Sequence, residues 1–405
     1  MNAPVQFRGG LVILSTIGRR LGHWVHSIVR KRSDQTFRTS LDRLPIPLDA
    51  TRIVKCSMSK MALSSTNGKG LPSVTVFSRY AKPVFKPDLG RAVDEDFDAE
   101  WKKYVGEVQY TIVDTERPRE EVIPLLQEAE VILADGNLIG PFFGKLAKTR
   151  WVQATWAGID SLIDTIDPHH LPPPFIYTRL GGALSTSMGE YTIGHIIARE
   201  RRFVEMQKNQ EQKVWKKIDY RPLEKLTIGI IGLGNIGEEI ARLCKAFKMT
   251  TWGLGQRERK PDQISEYLDH YRSSSGLKEL LAHCDYVCNV LPKTPATDDL
   301  LSGDMLSSCT KAPVLINIGR GNVISEESLL AALDKGWISH AILDVFRQEP
   351  LPETSPLWTS PKVTITPHDA SQSFTFKILK IFAENFKRYV NGEPLKYQVN
   401  WTAGY

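Results

Sequence analysis

The stretch that decides the fold is Leu226–Gly237, which reads Leu-Thr-Ile-Gly-Ile-Ile-Gly-Leu-Gly-Asn-Ile-Gly. Its first half is an apolar run typical of a buried strand, and its second half is the pattern G-x-G-x-x-G. The first glycine permits a tight turn, the second lets the backbone approach a pyrophosphate, and the third lets a helix pack against the strand. The exposed N–H groups at the start of that helix then bind the phosphates. The candidate cofactor-binding residues of this turn are Gly232, Gly234, Asn235, Ile236 and Gly237. The alternative is a glycine turn used only for packing.

The next strand-like run, Thr250–Gln256, indicates which dinucleotide is bound. A site for NAD usually carries Asp or Glu at the end of this strand, where the carboxylate binds the ribose 2′-hydroxyl. No carboxylate is present here, and Arg257 and Arg259 follow directly. Guanidinium groups bind a 2′-phosphate through charge-assisted hydrogen bonds, so we predict a preference for NADPH, with NADH possible. The alternative is a basic loop that is simply solvated, and Glu258 lies between the two arginines.

The glycine turn lies inside a long alternation of strand-like and helical segments. The predicted strands before it are Ser73–Arg79, Val108–Asp114, Val131–Asp135 and Trp151–Thr155. The predicted strands from it onward are Leu226–Ile231, Thr250–Leu254, Tyr286–Leu291, Val314–Ile318, Ala341–Val345 and Val363–Thr366. The predicted helices include Asp94–Tyr104, Arg119–Glu130, Ser185–Gln207, Glu238–Phe247 and Phe374–Val390. This alternation predicts an α/β protein with parallel sheets covered by helices on both faces, and a linker at Pro172–Pro174.

Composition narrows the function classes. The 405 residues suggest two or three domains at about 150 residues each. With 41% hydrophobic and 24% charged residues, the chain has the composition of a globular protein. No uncharged apolar run reaches the roughly 18 residues of a membrane span, and the five cysteines lack metal-ligand spacing, so we expect neither a membrane segment nor a metal site.

The basic charge is concentrated at the start of the chain. Residues 1–44 carry eight Arg and Lys against two Asp, which accounts for the whole net charge of +6. The rest is neutral, so the pI near 8.9 does not indicate nucleic-acid binding. Apolar and basic side chains of this segment fall on opposite faces of a helix, which is typical of a mitochondrial targeting peptide. The alternatives are a secretory signal and an untargeted, cytoplasmic extension.

Three polar residues follow separate strands of the second series. Arg320 lies in the segment Asn317–Gly321, Glu349 follows the strand Ala341–Val345, and His368 follows the last strand. The carboxyl ends of parallel strands meet at one crevice, so these side chains can come together. A protonated histidine can donate to an oxygen that becomes negative, a carboxylate keeps that histidine charged, and an arginine can hold a carboxylate. The trio therefore suits hydride transfer to the ketone of a 2-keto acid.

The motifs together resemble the D-isomer-specific 2-hydroxyacid dehydrogenases, and most closely their glyoxylate/hydroxypyruvate reductase A group. The matching segments are Met188–Tyr191, Gly232–Gly237, Asn317–Gly321, Leu343–Pro352, Ser355–Trp358 and Thr366–His368. The resemblance covers about residues 73–395. It implies that Arg320, Glu349 and His368 are the catalytic residues, and that Ala157 and Gly158, together with Arg320, bind the substrate carboxylate. It also implies that Ile318 and Asp344 lie near the nicotinamide.

The resemblance further implies a Rossmann-type dinucleotide-binding domain inserted in a flavodoxin-like substrate domain. The implied boundaries are an extension at 1–44, a linker at 45–72, a substrate domain at 73–175 and 369–405, and a nucleotide domain at 176–368. The family usually forms homodimers through the nucleotide domains. The expected activity is reduction of glyoxylate or hydroxypyruvate by NADPH to the D-2-hydroxy acid, with no nucleic-acid or membrane partner.

Two other functions remain open on sequence alone. Corepressors that sense dinucleotides share this fold and a similar trio, and a related enzyme could act on a different 2-hydroxy acid. Trp156 and Trp358 favour a small substrate because indoles fill space. Asp369 departs from the family pattern, since an inward carboxylate at this position would repel an anionic substrate; we expect it to point outward.

Overall fold

The computed structural model describes residues 71–81, 96–402 and 404. The predicted extension of residues 1–44 and most of the predicted linker of residues 45–72 lie outside this part of the chain. Within the described part, no helix has the length and apolar character needed to cross a membrane.

The elements alternate along the chain as the sequence predicts. The strands are β1 (Val74–Phe77), β2 (Tyr110–Ile112), β3 (Val131–Ala134), β4 (Trp151–Ala154), β5 (Ile176–Thr178), β6 (Thr227–Ile231), β7 (Thr250–Leu254), β8 (His270–Arg272), β9 (Tyr286–Asn289), β10 (Val314–Asn317), β11 (His340–Leu343) and β12 (Val363–Ile365). The α-helices are α1 (Phe97–Tyr104), α2 (Arg119–Gln127), α3 (Gly136–Ile139), α4 (Asp160–Ile163), α5 (Ser185–Glu200), α6 (Phe203–Glu211), α7 (Asn235–Ala246), α8 (Leu277–His283), α9 (Glu326–Asp334) and α10 (Thr375–Val390).

A five-stranded parallel sheet has the order β2-β1-β3-β4-β5, which is the flavodoxin-like order. Its central strands β1, β3 and β4 are buried on both faces, and alternate residues enter two separate cores. One core receives the returning helix α10, where Phe382 stacks on Trp151 with 5.2 Å between ring centroids. Burying a phenylalanine in this way contributes about 2 to 3 kcal/mol. We call this sheet with its helices, including α10, the five-stranded unit.

A seven-stranded parallel sheet has the order β12-β11-β10-β9-β6-β7-β8. Strand β6 is the first strand of this sheet in chain order, and it lies between β9 and β7. The strand order therefore reverses beside the glycine turn. This is the Rossmann arrangement, in which a dinucleotide binds at the reversal. Helices α5 and α7 cover one face, where Ile196 and Ile240 are buried with β6. We call this sheet with its helices the seven-stranded unit, and the two sheets together confirm the predicted fold class.

The structure corrects two predicted boundaries. Strand β5 pairs with β4, so the five-stranded sheet continues past the boundary predicted at residue 175 and past Pro172–Pro174. The predicted helix Ser185–Gln207 is two helices, because Arg202 takes a left-handed conformation with φ of 54° between α5 and α6. The chain passes from the five-stranded to the seven-stranded unit at residues 179–184 and returns at residues 366–374.

Candidate active site

The glycine turn after β6 has room for a ligand where the motif requires it. Gly232 has φ of 107°, in the region that favours glycine. A Cβ on Gly237 would lie 2.0 Å from the carbonyl oxygen of Gly232, so the third glycine serves packing between helix and strand. A Cβ on the exposed Gly234 would meet no protein atom within 4 Å. The space in front of Gly234 is therefore open, and the N–H groups of Asn235 and Ile236 start α7 there without partners inside the helix. The turn fits a dinucleotide pyrophosphate.

The basic loop after β7 reaches this turn. Arg259 Nη2 donates to the carbonyl oxygen of Leu233 at 3.3 Å, and its Nη1 lies 3.6 Å from Glu238 Oε1. Arg257 is exposed, and its carbonyl oxygen accepts from the hydroxyl of Tyr271. Glu258, between the two arginines, accepts a hydrogen bond from Ser273. The two arginines thus follow the end of β7 directly, where a dinucleotide in a Rossmann site places its ribose.

Arg320, Glu349 and His368 follow the neighbouring strands β10, β11 and β12, as the sequence predicts. His368 Nδ1 and Glu349 Oε2 are 2.7 Å apart, and Glu349 Oε1 accepts from the backbone N–H of Phe346 at 2.8 Å. The hydrogen bond to Glu349 raises the pKa of His368 above its ordinary value, against opposing effects of burial and of the Arg320 charge. The remaining ring nitrogen, Nε2, is left for a substrate. This pair can deliver a proton near neutral pH.

Glu349 is held ionised by the same contacts. Partial burial favours its neutral form, but the hydrogen bonds with His368 and Phe346 outweigh burial, so the pKa of Glu349 lies below its ordinary value. The positive charge of Arg320 acts in the same direction. The three side chains therefore act on one another electrostatically, although they are distant in sequence.

Arg320 extends across to the five-stranded unit. Its Nε donates to Asp160 Oδ2 at 2.7 Å, and its Nη1 donates to the carbonyl oxygen of Gly319 at 2.7 Å. A Cβ on Gly158 would lie 1.9 Å from Arg320 Nη2. The loop of Ala157 and Gly158, which follows β4, therefore lies against the guanidinium. The structure brings together the residues that the resemblance assigns to the substrate carboxylate.

Asp344 forms hydrogen bonds with the backbone of the loop that carries His368. It is 1% exposed, and its carboxylate accepts from Thr366 Oγ1 at 2.6 Å and from the N–H groups of Asp369 and Ala370 at 2.7 and 3.0 Å. Its carbonyl oxygen accepts from the N–H of His368, whose φ is 55°. These bonds hold His368 in a conformation that non-glycine residues rarely adopt. A contact of Asp344 with the nicotinamide stays a prediction, as does one by the buried Ile318.

Asp369 is exposed, and its Oδ1 accepts from Gln372 Nε2 at 2.8 Å, in agreement with the outward orientation we expect. Of the two tryptophans expected to favour a small substrate, Trp358 differs from expectation. Trp156 Nε1 donates to the hydroxyl of Tyr80 at 3.2 Å, within the five-stranded unit. Trp358 is 51% exposed, and a half-exposed indole does not fill a closed pocket, so its use as an indicator of a small substrate is wrong.

Sequence reasoning missed the side chains that orient the arginine loop. Asp160 lies two residues after Gly158, but nothing in the sequence links it to Arg320. Buried Asn289 ends β9, and buried Asn317 ends the neighbouring strand β10. Asn289 Nδ2 donates to Asn317 Oδ1 at 2.9 Å. Asn317 Nδ2 in turn donates to the carbonyl oxygen of Arg320 at 3.2 Å. The sequence feature that could have revealed them is an asparagine at the end of each apolar strand, because an asparagine side chain is costly to bury unless it is hydrogen-bonded.

Comparison with known proteins agrees with this site. The family model for the D-isomer specific 2-hydroxyacid dehydrogenase NAD binding domain matches residues 193–370. Glyoxylate/hydroxypyruvate reductase A of Serratia proteamaculans is 33% identical over 266 residues, which are 64% of this chain and 82% of that protein. The protein of the same name from Photorhabdus laumondii is 32% identical over 254 residues, which are 62% of this chain and 79% of that protein.

Solved structures agree as well. A D-isomer specific 2-hydroxyacid dehydrogenase family protein from Aeromonas salmonicida is 29% identical, with a TM-score of 0.68, and the alignment covers 82% of this chain and all of that one. An NADPH-dependent glyoxylate/hydroxypyruvate reductase from Sinorhizobium meliloti has the same fold, with a TM-score of 0.67 at 23% identity over 82% of this chain and all of that one. The chain therefore belongs to the D-isomer-specific 2-hydroxyacid dehydrogenase family, in its glyoxylate/hydroxypyruvate reductase A group.

Proposed function

We propose that this enzyme reduces small 2-keto acids, glyoxylate or hydroxypyruvate, to D-2-hydroxy acids with NADPH. The observation that carries the proposal is the His368–Glu349 pair, 2.7 Å between Nδ1 and Oε2, beside Arg320 at neighbouring strand ends. The names of the relatives that are 32% and 33% identical support the substrate class.

The residues divide the work of the reaction. When bound, the nicotinamide supplies the hydride. The N–H groups of Ala157 and Gly158 and the guanidinium of Arg320 hold the substrate carboxylate, which orients the adjacent ketone. As negative charge develops on the ketone oxygen, His368 donates its Nε2 proton to that oxygen. Glu349 stabilises the imidazolium before transfer and keeps the ring in place afterwards.

The basic loop supports the preference for NADPH. Arg257 is exposed, and the Arg259 guanidinium lies at the glycine turn against Leu233 and Glu238, so both arginines lie just after β7, where the ribose is expected. One charge-assisted hydrogen bond to a 2′-phosphate changes affinity by roughly 10- to 100-fold. A carboxylate there would repel the phosphate, and Glu258 is bonded instead to Ser273.

The test follows oxidation of NADPH and of NADH, separately, by the purified protein with hydroxypyruvate and with glyoxylate. Turnover with NADPH at least 10-fold more efficient than with NADH supports the proposal. Turnover with NADH alone would still support a dehydrogenase activity, but it would overturn the interpretation of the basic loop. Cofactor binding without turnover of either acid would favour a dinucleotide-sensing protein or a different 2-hydroxy acid.

A double variant isolates the role of the loop. Arg257→Ala with Arg259→Ala should weaken NADPH binding at least 10-fold and leave NADH binding within about twofold. Arg242→Ala is the matched control, because Arg242 is an exposed arginine on α7 that pairs with Glu239. An unchanged ratio of NADPH to NADH affinity in the double variant would contradict the assignment.

We also propose that the enzyme is a homodimer formed through the seven-stranded unit. Helix α6 and the segment after it expose a group of large apolar side chains: Phe203, Val204, Met206, Val214, Trp215 and Tyr220. Trp215 is 99% exposed, which is costly for an indole in water. A second copy of this chain would cover this surface. Sedimentation should give a dimer, and Trp215→Lys should shift it towards monomer; a wild-type monomer at micromolar concentration would refute the proposal.

The targeting pattern of residues 1–44 supports a mitochondrial location, which we propose for the full chain. A reporter fused behind these residues should enter mitochondria. A diffuse cytosolic signal would leave the segment as an untargeted extension, and secretion would indicate the alternative signal.

A further inference from the structure

Asp160 is the partner of Arg320 from the other side of the cleft. It begins α4 in the five-stranded unit, directly after the loop of Ala157 and Gly158, whereas Arg320 follows β10 in the seven-stranded unit. The Nε–H of Arg320 donates to Asp160 Oδ2 at 2.7 Å, and the two side chains are 27% and 31% exposed. This ion pair therefore links the two units at the point where the substrate carboxylate is expected.

The contacts of Arg320 fix which edge of its guanidinium remains for a ligand. The Nε–H is taken by Asp160, and one Nη1 hydrogen is taken by the carbonyl oxygen of Gly319. The Nη2 group lies against Gly158, where an added Cβ would approach it to 1.9 Å. The hydrogen bonds at Nε and Nη1 restrict rotation of the planar guanidinium, and its Nη2 group lies against the Ala157–Gly158 loop.

We propose that Asp160 is a positioning residue, which turns the Nη edge of Arg320 towards the keto acid. This inference rests on the proposed function. The side chain of Asp160 is bonded to Arg320, so it acts through the guanidinium. Its carboxylate also lowers the net positive charge that an anionic substrate meets. Asp160 therefore weakens the electrostatic attraction of the substrate, and in return it fixes the orientation of the Arg320 guanidinium.

Geometry and charge can be separated by substitution. Asp160→Ala removes the acceptor of the Nε hydrogen bond together with the charge, which frees the guanidinium to rotate. Asp160→Asn removes the charge but keeps an oxygen acceptor at the same place. Asp164→Asn is the control, because Asp164 is an exposed aspartate one helical turn further on, at the C-terminal cap of α4. If orientation dominates, the asparagine variant restores most of what the alanine variant loses.

The experiment measures kcat and KM for hydroxypyruvate, together with the Kd of oxamate, a non-reducible keto-acid analogue, for the NADPH-bound full chain. Asp160→Ala should raise both the KM and the oxamate Kd about 10- to 100-fold, while the Kd of NADPH stays within twofold. Asp160→Asn should keep both within about threefold of wild type, and Asp164→Asn should match wild type. In an Arg320→Ala background, Asp160→Ala should have no further effect on oxamate binding.

Two results would overturn the proposal: a loss in Asp160→Ala that persists in the Arg320→Ala background, or an oxamate Kd unchanged in Asp160→Ala. A crystal structure of Asp160→Ala separates this failure from failure of the proposed function. If the Arg320 guanidinium keeps its orientation there, Asp160 does not position it, whichever acid the enzyme reduces. If the guanidinium turns while wild type reduces no keto acid, the positioning role stands and the substrate assignment fails.

Discussion

Replacing Glu349 by glutamine should shift the pH dependence of the enzyme, because this carboxylate raises the pKa of His368. Two unit charges about 4 Å apart interact by about 1 kcal/mol in water and about 4 kcal/mol near a protein surface. The His368 side chain is 51% exposed, so the lower half of that range applies. Losing about 1.5 to 2.5 kcal/mol of this attraction lowers the pKa of His368.

The sign of the effect differs between the two directions of the reaction. Reduction needs protonated His368 and is lost as pH rises through its pKa, so Glu349→Gln should lose reduction at a lower pH. At pH values above both pKa values, kcat/KM for hydroxypyruvate reduction should fall roughly 10- to 100-fold. Oxidation of the D-2-hydroxy acid needs neutral His368, so the variant should retain oxidation down to a lower pH.

The assay is kcat/KM in both directions across pH 5.5 to 9.5, a range of about four units that includes the ordinary histidine pKa and extends further above it than below it. The pH at which reduction is lost and the pH at which oxidation appears should both shift downwards, and by the same amount. Equal losses in both directions at every pH would refute the electrostatic reasoning and leave Glu349 with a purely orienting role. His368→Asn, as a control, should lose both directions without a shift of either limb.

Substitutions of glycine test the remaining parts of the site. Gly234→Ala should keep the fold, since its Cβ meets no protein atom within 4 Å, but should abolish tight NADPH binding; tight binding in a folded variant would contradict the pyrophosphate assignment. Gly237→Ala places a Cβ 2.0 Å from a backbone oxygen and should destabilise the protein by about 1 to 3 kcal/mol, measured by thermal unfolding. Gly158→Ala should displace the Arg320 guanidinium and raise the KM for hydroxypyruvate about 10-fold, with unchanged thermal stability. An unchanged KM would contradict the placement of Gly158 at the substrate site.

Local patterns predicted the parallel sheets and the strand ends at which Arg320, Glu349 and His368 lie, because each strand and each strand end is marked by its own stretch of sequence. The glycine turn needs a strand before it and a helix after it, and both are readable at Leu226–Gly237. Arg320, Glu349 and His368 were found because each follows an apolar strand, and parallel strands end at one edge.

The features that sequence missed depend on contacts far along the chain or on very short segments. Strands β5 and β8 are three residues long and lie at sheet edges, so they carry no recognisable alternation. The end of α5 depends on the single left-handed residue Arg202, which has no glycine or proline to mark it. The pairing of Asp160 with Arg320 joins residues 160 positions apart, and a lone Asp after a strand gives no indication of its partner.

The two crossings of the chain have a mechanical consequence. Residues 179–184, with Gly182 at φ of 76°, and residues 366–374 are the two connections between the units, so we expect any rotation of one unit against the other to take place about the line through them. His368 lies in the second connection, and its partner Glu349 lies in the seven-stranded unit. Asp160 lies in the five-stranded unit, and its partner Arg320 lies in the seven-stranded unit. Such a rotation would therefore change the distance between Asp160 and Arg320 and leave the pair of His368 and Glu349 in place.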